Sequence, residues 1–74
     1  MEEIIGIAAG KIWNTIGEKR LTRTQLKKAT GLNEKMLFLG LGWLCKEGKI
    51  EFVKEDNFEK ICLTEEEKRY FQNK

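Results

Sequence analysis

The chain of 74 residues has no histidine, no serine and no proline, and it has only two cysteines. Without histidine and serine, neither a Ser–His nor a Cys–His catalytic pair can be built. Cys45 and Cys62 lack CxxC spacing, so the chain is too poor in ligands for a structural zinc site. We therefore predict that the protein is not an enzyme, that it uses no cofactor and no metal, and that its two thiols stay reduced.

Long apolar runs are also missing, so no membrane partner is expected. The first residues include Glu2 and Glu3 where a signal peptide would be basic, which predicts a cytoplasmic protein. No linker or low-complexity tract divides the chain, and we expect a single domain over residues 1–74. A net charge of +2 permits a nucleic-acid partner without requiring one. A domain this small is only marginally stable, which favours oligomerisation.

The segment 33–48 predicts the central helix, capped by Asn33 at its start and closed by Gly48 at its end. One apolar stripe at helical spacing consists of Leu37, Leu41 and Leu44, with Gly40 beside it. A second stripe of Met36, Leu39 and Trp43 lies well over 100° away, and Phe38 lies on a third side. Such a helix must be covered nearly all round, either by a second subunit or by the first and last helices of the same chain.

Other elements follow from periodicity and capping. A first helix is predicted over 2–19, with Gly6, Gly10 and Gly17 on a stripe beside Trp13; its apolar face comprises Ile5, Ala8, Ala9, Ile12 and Ile16. Three glycines in one helix indicate close approach of another backbone or a weak, frayed helix. A short extended piece at Arg20-Leu21 precedes the capping box Thr22-Arg-Thr-Gln25 and a helix that Gly31 ends, with Leu26 and Ala29 facing inward.

After Gly48 the period changes to two, which predicts an antiparallel hairpin. Ile50 and Phe52 on one strand, with Ile61 and Leu63 on the other, are the expected inward residues, and the turn falls within 54–58. Thr64-Glu-Glu-Glu67 repeats the capping-box pattern and starts a last short helix that carries Tyr70 and Phe71. The predicted class is mainly α with a small antiparallel β-hairpin (α+β).

This order of elements resembles the winged helix-turn-helix domain. Three segments bear the resemblance: Leu21-Thr-Arg-Thr-Gln-Leu-Lys-Lys-Ala-Thr-Gly-Leu32, then Leu37, Leu41 and Leu44 followed by Lys46-Glu-Gly-Lys-Ile50, and the returning Ile61-Cys-Leu-Thr64. Through Leu41-Gly-Trp-Leu44 and the Lys-Lys-Ala-Thr-Gly turn, the chain is similar to an uncharacterised bacterial and archaeal family of stand-alone winged helix-turn-helix domains that form homodimers.

In DNA-binding members of this class, the outer face of the central helix enters the major groove and offers polar side chains to base edges. Carried onto this sequence, that face comprises Lys35, Met36, Phe38, Leu39, Gly42, Trp43 and Lys46. Only the two lysines are suited to polar contacts with DNA. The apolar members instead look like the core of a protein interface, so we predict a homodimer contact through Phe38, Leu39, Gly42, Trp43 and Met36. The alternative is cover by the same chain.

Basic residues lie elsewhere, around the second helix and along the hairpin. The resemblance implies that the second helix crosses the DNA backbone, so candidates for backbone contacts are Arg20, Arg23, Lys27, Lys28, Lys35, Lys54 and Lys60. Interleaved acids at Glu51, Glu55 and Glu59 partly cancel this field on the hairpin. We expect a DNA-associated, transcription-regulator-like homodimer with little base-specific readout. The alternative is a protein–protein interaction adaptor that binds no nucleic acid.

Overall fold

A computed structural model describes residues 2–72, so the ends of the predicted 1–74 domain lie outside the described residues. Four helices and one hairpin follow the predicted order: α1 (Glu2–Ile16), α2 (Arg23–Thr30), α3 (Glu34–Lys46), β1 (Ile50–Glu55), β2 (Phe58–Leu63) and α4 (Glu65–Gln72). The first helix is shorter than predicted, because Gly17 adopts a left-handed conformation with φ 52° that ends it.

Local sequence signals set the start of α2 and α3. The side chain of Thr22 accepts from the backbone N–H of Gln25, and the Gln25 side chain accepts from the N–H of Thr22, which confirms the first capping box. Gly31 ends α2 at φ 72°. Asn33 caps α3 by accepting from the N–H of Met36 at 2.8 Å. These two helices are therefore joined by a short turn whose conformation is fixed from both sides.

The hairpin is antiparallel, with Ile50 opposite Leu63 and Glu55 opposite Phe58. Its turn residues Asp56 and Asn57 have φ of 50° and 69°, as a two-residue hairpin turn of the primed type requires. Leu21 pairs with Ile61 through two backbone hydrogen bonds of 3.1 and 2.7 Å, so the predicted extended piece is confirmed as the outer edge of β2.

The core lies where α1, α2 and α3 meet the inner end of the hairpin. Its fully buried large side chains are Ile12, Ile16, Leu26, Leu37, Leu63 and Cys62. Gly40 permits the close approach of α1 and α3, because a Cβ at this position would lie 3.3 Å from backbone atoms of Ala8 and Ala9. The predicted stripe of Leu37, Leu41 and Leu44 is confirmed as the buried face of α3.

Three local predictions are wrong. Ala29 is exposed, because the short α2 meets the core mainly through Leu26. Phe52 is 48% exposed, since the hairpin extends beyond the helices that cover its inner end. The second capping box does not form: the Thr64 N–H donates to the carbonyl of Lys49 at 3.1 Å, and Glu67 accepts a hydrogen bond from Trp13.

Candidate nucleic-acid interface

The outer face predicted for the central helix lies on α3, and we call it the outward face of α3; it comprises Lys35, Met36, Phe38, Leu39, Gly42, Trp43 and Lys46. This face has two different edges. At one edge the Phe38 ring is 47% exposed, and the Arg23 guanidinium lies 5.5 Å from its centroid. At the other edge Trp43 is half-buried and packs against the core, with the Lys46 ammonium 5.8 Å from its ring. The two aromatic residues are about 140° apart around the helix. The outward face therefore presents two separate aromatic surfaces.

Between these edges, exposure varies among the remaining residues of the predicted face. Lys35 and Gly42 are exposed, whereas Met36 and Leu39 are half-buried. A Cβ on Gly42 would meet no heavy atom within 4 Å among the described residues. The polar groups on this face come from Lys35 and Lys46, so it offers cations without the Asn, Gln or Arg that pair bidentately with bases.

Trp43 belongs to a groove between α1, α3 and α4 with a volume of about 440 Å³. Gly6, Gly10 and Trp13 of α1 line one side, and Tyr70 of α4 is at another side. Trp13 Nε1 donates to Glu67 Oε1 at 2.8 Å, and the Trp13 ring packs on Phe71 with a centroid distance of 4.6 Å. Helices α1 and α4 thus cover part of the apolar surface beside Trp43 and leave an open groove.

The glycines of this groove differ from Gly40. A Cβ on Gly6 or Gly10 would meet nothing within 4 Å among the described residues, so packing inside the chain does not require glycine there. Gly17 instead ends α1 and lies under Phe71, whose Cε1 atom would be 3.7 Å from an added Cβ. The glycine stripe predicted along α1 therefore divides into a turn residue and two positions with open space above them.

The candidate backbone-contact residues fall into two groups. Arg20 and Lys60 both form ion pairs with Glu55 on the hairpin, the Lys60 pair at 3.2 Å. The hydrogen bond from Arg20, followed by that from Lys60, lowers the pKa of Glu55, and the same carboxylate raises the pKa of Arg20. This arrangement neutralises an acid that would otherwise repel phosphates.

The second group is centred on α2, a helix whose sequence contains no acidic residue. The Arg23 guanidinium lies 5.5 Å from the Phe38 ring centroid, and Lys27 Nζ is 3.6 Å from a carboxylate oxygen of Glu34 at the start of α3. Lys28, Lys35 and Lys54 have no ion-pair partner within residues 2–72. The structure therefore leaves an excess of positive charge along α2 and the start of α3.

Some contacts at these surfaces were not predicted from the sequence. Thr30, the one buried polar side chain of the described core, donates to Leu26 O at 2.8 Å and accepts from the Leu32 N–H, which ties down the turn between α2 and α3. A threonine directly before the Gly31 cap is the signal that could have found it. Spacing predicts neither the Glu55 ion pair with Arg20 nor the Glu67 hydrogen bond with Trp13, because these partners are distant in sequence.

Two further observations bear on the site. Across the described part of the chain, no group of three or more His, Cys, Asp or Glu residues could hold a metal ion. The helices within residues 2–72 include none that is long and apolar enough to cross a membrane.

A helix-turn-helix unit followed by a two-stranded hairpin defines the winged helix-turn-helix class. The chain belongs to the family described as Winged helix-turn-helix domain (DUF2582), whose family model matches residues 1–64. It is similar to the uncharacterised protein MJ1608 of Methanocaldococcus jannaschii, with 36% identity over 55 residues that cover 70% of this chain and 79% of that protein.

A solved structure supports the same fold. The solution NMR structure of protein BT2368 from Bacteroides thetaiotaomicron superposes with a TM-score of 0.73 at 25% sequence identity. The match covers 84% of this chain and 77% of that chain. The family match and this superposition confirm the predicted fold class and the order of its elements.

Proposed function

We propose that this winged helix domain is a DNA-associated homodimer that contacts the phosphate backbone and reads base edges weakly. The observation that carries the proposal is the charge of α2, where Arg23, Lys27 and Lys28 lie on a helix with no acidic residue. In helix-turn-helix domains this helix crosses the DNA backbone. Lysine and arginine there would bind phosphates whatever the base sequence.

Weak base readout follows from the composition of the outward face of α3. Lys35 and Lys46 are its only charged members, and Lys46 lies against Trp43. Specific recognition usually needs side chains that form paired hydrogen bonds with one base, such as Arg with guanine or Asn with adenine. Affinity that depends mainly on phosphates should vary little among DNA sequences.

The hairpin contributes less than α2 in this proposal. Arg20 and Lys60 share Glu55, which leaves the three groups with one net positive charge. Lys54 lies on the same hairpin and has no ion-pair partner within residues 2–72. We therefore assign the main backbone contacts to Arg23, Lys27, Lys28 and Lys35, and a weaker contribution to Lys54.

A salt titration with a labelled DNA duplex tests the proposal. Binding at about 50 mM salt should weaken steeply as salt rises, because phosphate contacts release counterions. The double variant Lys27→Ala/Lys28→Ala should bind more weakly and show a smaller salt slope. Lys11→Ala, which removes an exposed lysine from α1, is the matched control. Absence of binding at about 50 mM salt would overturn the contacts with a duplex backbone.

For the homodimer, we assign the contact to the outward face of α3 apart from its Phe38 edge, with Met36, Leu39, Gly42 and Trp43 meeting the same residues of a second copy. The groove beside them includes Gly6 and Gly10, where a second backbone has room to approach. Phe38, which the sequence grouped with these residues, lies at the other edge of α3 against Arg23. We leave it outside the proposed contact.

Sedimentation analysis of two lysine variants tests this interface. Gly42→Lys places a charged side chain into open space, so the monomer should fold and the dimer should dissociate. Cys45→Lys adds the same charge to an exposed position of α3 about 160° from Trp43, and it should leave the dimer intact. A wild-type monomer at high concentration, or equal effects of both variants, would contradict the assignment.

The second candidate function is a protein-interaction adaptor without nucleic acid. The observation in its favour is the groove lined by Trp13, Trp43 and Tyr70, since aromatic residues are enriched in protein interfaces. The duplex titration separates the two functions. An adaptor should not bind DNA at about 50 mM salt, where phosphate contacts are strong.

A further inference from the structure

Three of the four phenylalanines are exposed. Phe38, Phe52 and Phe58 have relative exposures of 47%, 48% and 63%. A single exposed aromatic residue needs no special explanation. Phe38 and Phe58 are not isolated, however, because Phe38 lies near Arg23 and Phe58 lines a cleft that Arg23 also lines.

Arg23, the first residue of α2, lies near one ring and shares a cleft with the other. Its guanidinium carbon lies 5.5 Å from the Phe38 centroid. Arg23 also lines a cleft of about 300 Å³ together with Phe58, Thr22, Thr24 and Glu59. An aromatic ring of α3, a planar cation of α2 and an aromatic ring of β2 therefore border one exposed surface, which we call the Phe38–Phe58 row.

This composition matches the chemistry that recognises unpaired bases. Each base has a π-face that stacks on aromatic rings and on guanidinium planes, whatever its hydrogen-bonding edge. In a duplex those faces are already stacked on neighbouring bases, so the rings could reach them only after strand separation. The outward face of α3 offers only Lys35 and Lys46 to base edges, but stacking needs no donor to a base edge.

We propose that the Phe38–Phe58 row is a stacking platform for the unpaired bases of single-stranded DNA. This inference rests on the proposed DNA association and names the form of DNA that the domain prefers. Bases stack on Phe38, on the guanidinium of Arg23 and on Phe58. The phosphates between them lie along the basic surface of α2, within reach of Lys27 and Lys28.

The charge around the row is compatible with a polyanion. Glu55, at the end of β1 opposite Phe58, is paired with both Arg20 and Lys60. Glu59, which borders the cleft, lies opposite Lys54 in the register of the hairpin. The charge of Glu55 is therefore neutralised, and Glu59 faces a lysine across the hairpin without an ion pair between them.

Fluorescence anisotropy with labelled oligonucleotides tests the platform. The probes are a thymidine strand of about 20 nucleotides, a duplex of the same length and a uridine RNA strand, all at about 50 mM salt. Wild-type protein should bind the thymidine strand more tightly than the duplex or the RNA. Phe38→Ala and Phe58→Ala should each weaken that binding about tenfold, the usual effect of losing one stacked base.

Phe52→Ala is the matched control, because it removes an equally exposed phenylalanine from the other face of the hairpin. Its affinity for the thymidine strand should equal that of wild type. Circular dichroism melts of all three variants establish that each one folds. Since all three side chains are exposed, none of these changes should prevent folding.

The outcomes separate this inference from the proposed function. Tighter binding of the duplex, or equal effects of all three alanine variants, overturns the platform and leaves phosphate-backbone binding in place. Tighter binding of the RNA strand overturns the assignment to DNA. Absence of binding to both DNA probes overturns both proposals, whereas binding of the thymidine strand without the duplex supports the platform and overturns only the contacts with a duplex backbone.

Discussion

A Cβ atom on Gly40 would lie 2.6 Å from Cδ1 of Ile12, so α1 and α3 cross at a distance that only glycine permits. Ala8 and Ala9 supply the opposing backbone, with atoms 3.3 Å from the same point. The side chain of Ile12 could adjust, but the backbone of α1 could move only by separating the two helices. This contact sets how closely the first helix packs on the third.

Gly40→Ala should therefore destabilise the protein by about 1–3 kcal/mol, the usual cost of overpacking a core. Urea denaturation measures the change in the free energy of unfolding. Gly42→Ala is the matched control on the same helix, because nothing described lies within 4 Å of its added Cβ. Since Gly42 belongs to the proposed dimer contact, both variants are measured at a protein concentration at which wild type is monomeric. It should be neutral or stabilise by up to about 1 kcal/mol, from helix propensity alone. Equal effects would refute the crossing argument.

The hydrogen bond from Trp13 Nε1 to Glu67 joins residues 54 positions apart and fastens α4 to α1. Glu67→Ala should lower the free energy of unfolding by about 1 kcal/mol, because the half-buried indole N–H loses its acceptor. Glu66→Ala serves as the control, since it removes an exposed acid from the same first turn of α4. If both variants lose the same stability, the helix dipole and not the Trp13 contact is responsible.

The ion pairs of Glu55 predict a pH dependence of stability. Its pKa is lowered below the ordinary value of 4.5 by hydrogen bonds from Arg20 and then Lys60. A carboxyl with a depressed folded pKa stabilises the fold above its unfolded pKa and loses this contribution as the pH falls through the folded value. Thermal melts of wild type and Glu55→Gln should differ most near neutral pH and converge below pH 4.5.

Glu51→Gln provides the comparison for this pH series. Glu51 is exposed on the same strand and has no ion pair within residues 2–72. Its removal should leave the pH profile of wild type unchanged. A difference between wild type and Glu55→Gln that persists undiminished at low pH would show that the ion pairs are not its source.

The two thiols should differ in reactivity, because Cys45 is exposed and Cys62 is only 2% exposed. Ellman's reagent should label one thiol rapidly in the folded protein and the second only when denaturant unfolds it. Cys45→Ala should abolish the fast reaction, and a conservative Cys62→Ser change should leave it. Rapid labelling of both thiols in wild type would contradict the burial of Cys62.

Much of the fold was predictable because its signals are local. Thr22 with Gln25, Asn33 and the Asp56-Asn57 turn each act within a few residues, so their capping and turn geometry followed from spacing. The leucine stripe of α3 was predictable for the same reason. The second capping box failed because Glu67 had a better partner in Trp13, which is close only in the folded chain.

The candidate surfaces were predictable only as lists of residues. Helical spacing gave the outward face of α3, but it could not show that Phe38 lies against Arg23 while Trp43 borders α1 and α4. The basic residues were equally visible in the sequence. Their division into those held by Glu55 and those left unpaired depends on contacts between distant segments.

By itself the sequence determined the helices, the turn chemistry and the lack of histidine and serine, because these depend on residue type and short spacing. Only the tertiary structure decided which apolar side chains remain exposed and which charges are neutralised. The physical reason is that burial and ion pairing are properties of neighbours in space, and here those neighbours, such as Arg20 and Glu55 or Gly40 and Ile12, are far apart along the chain.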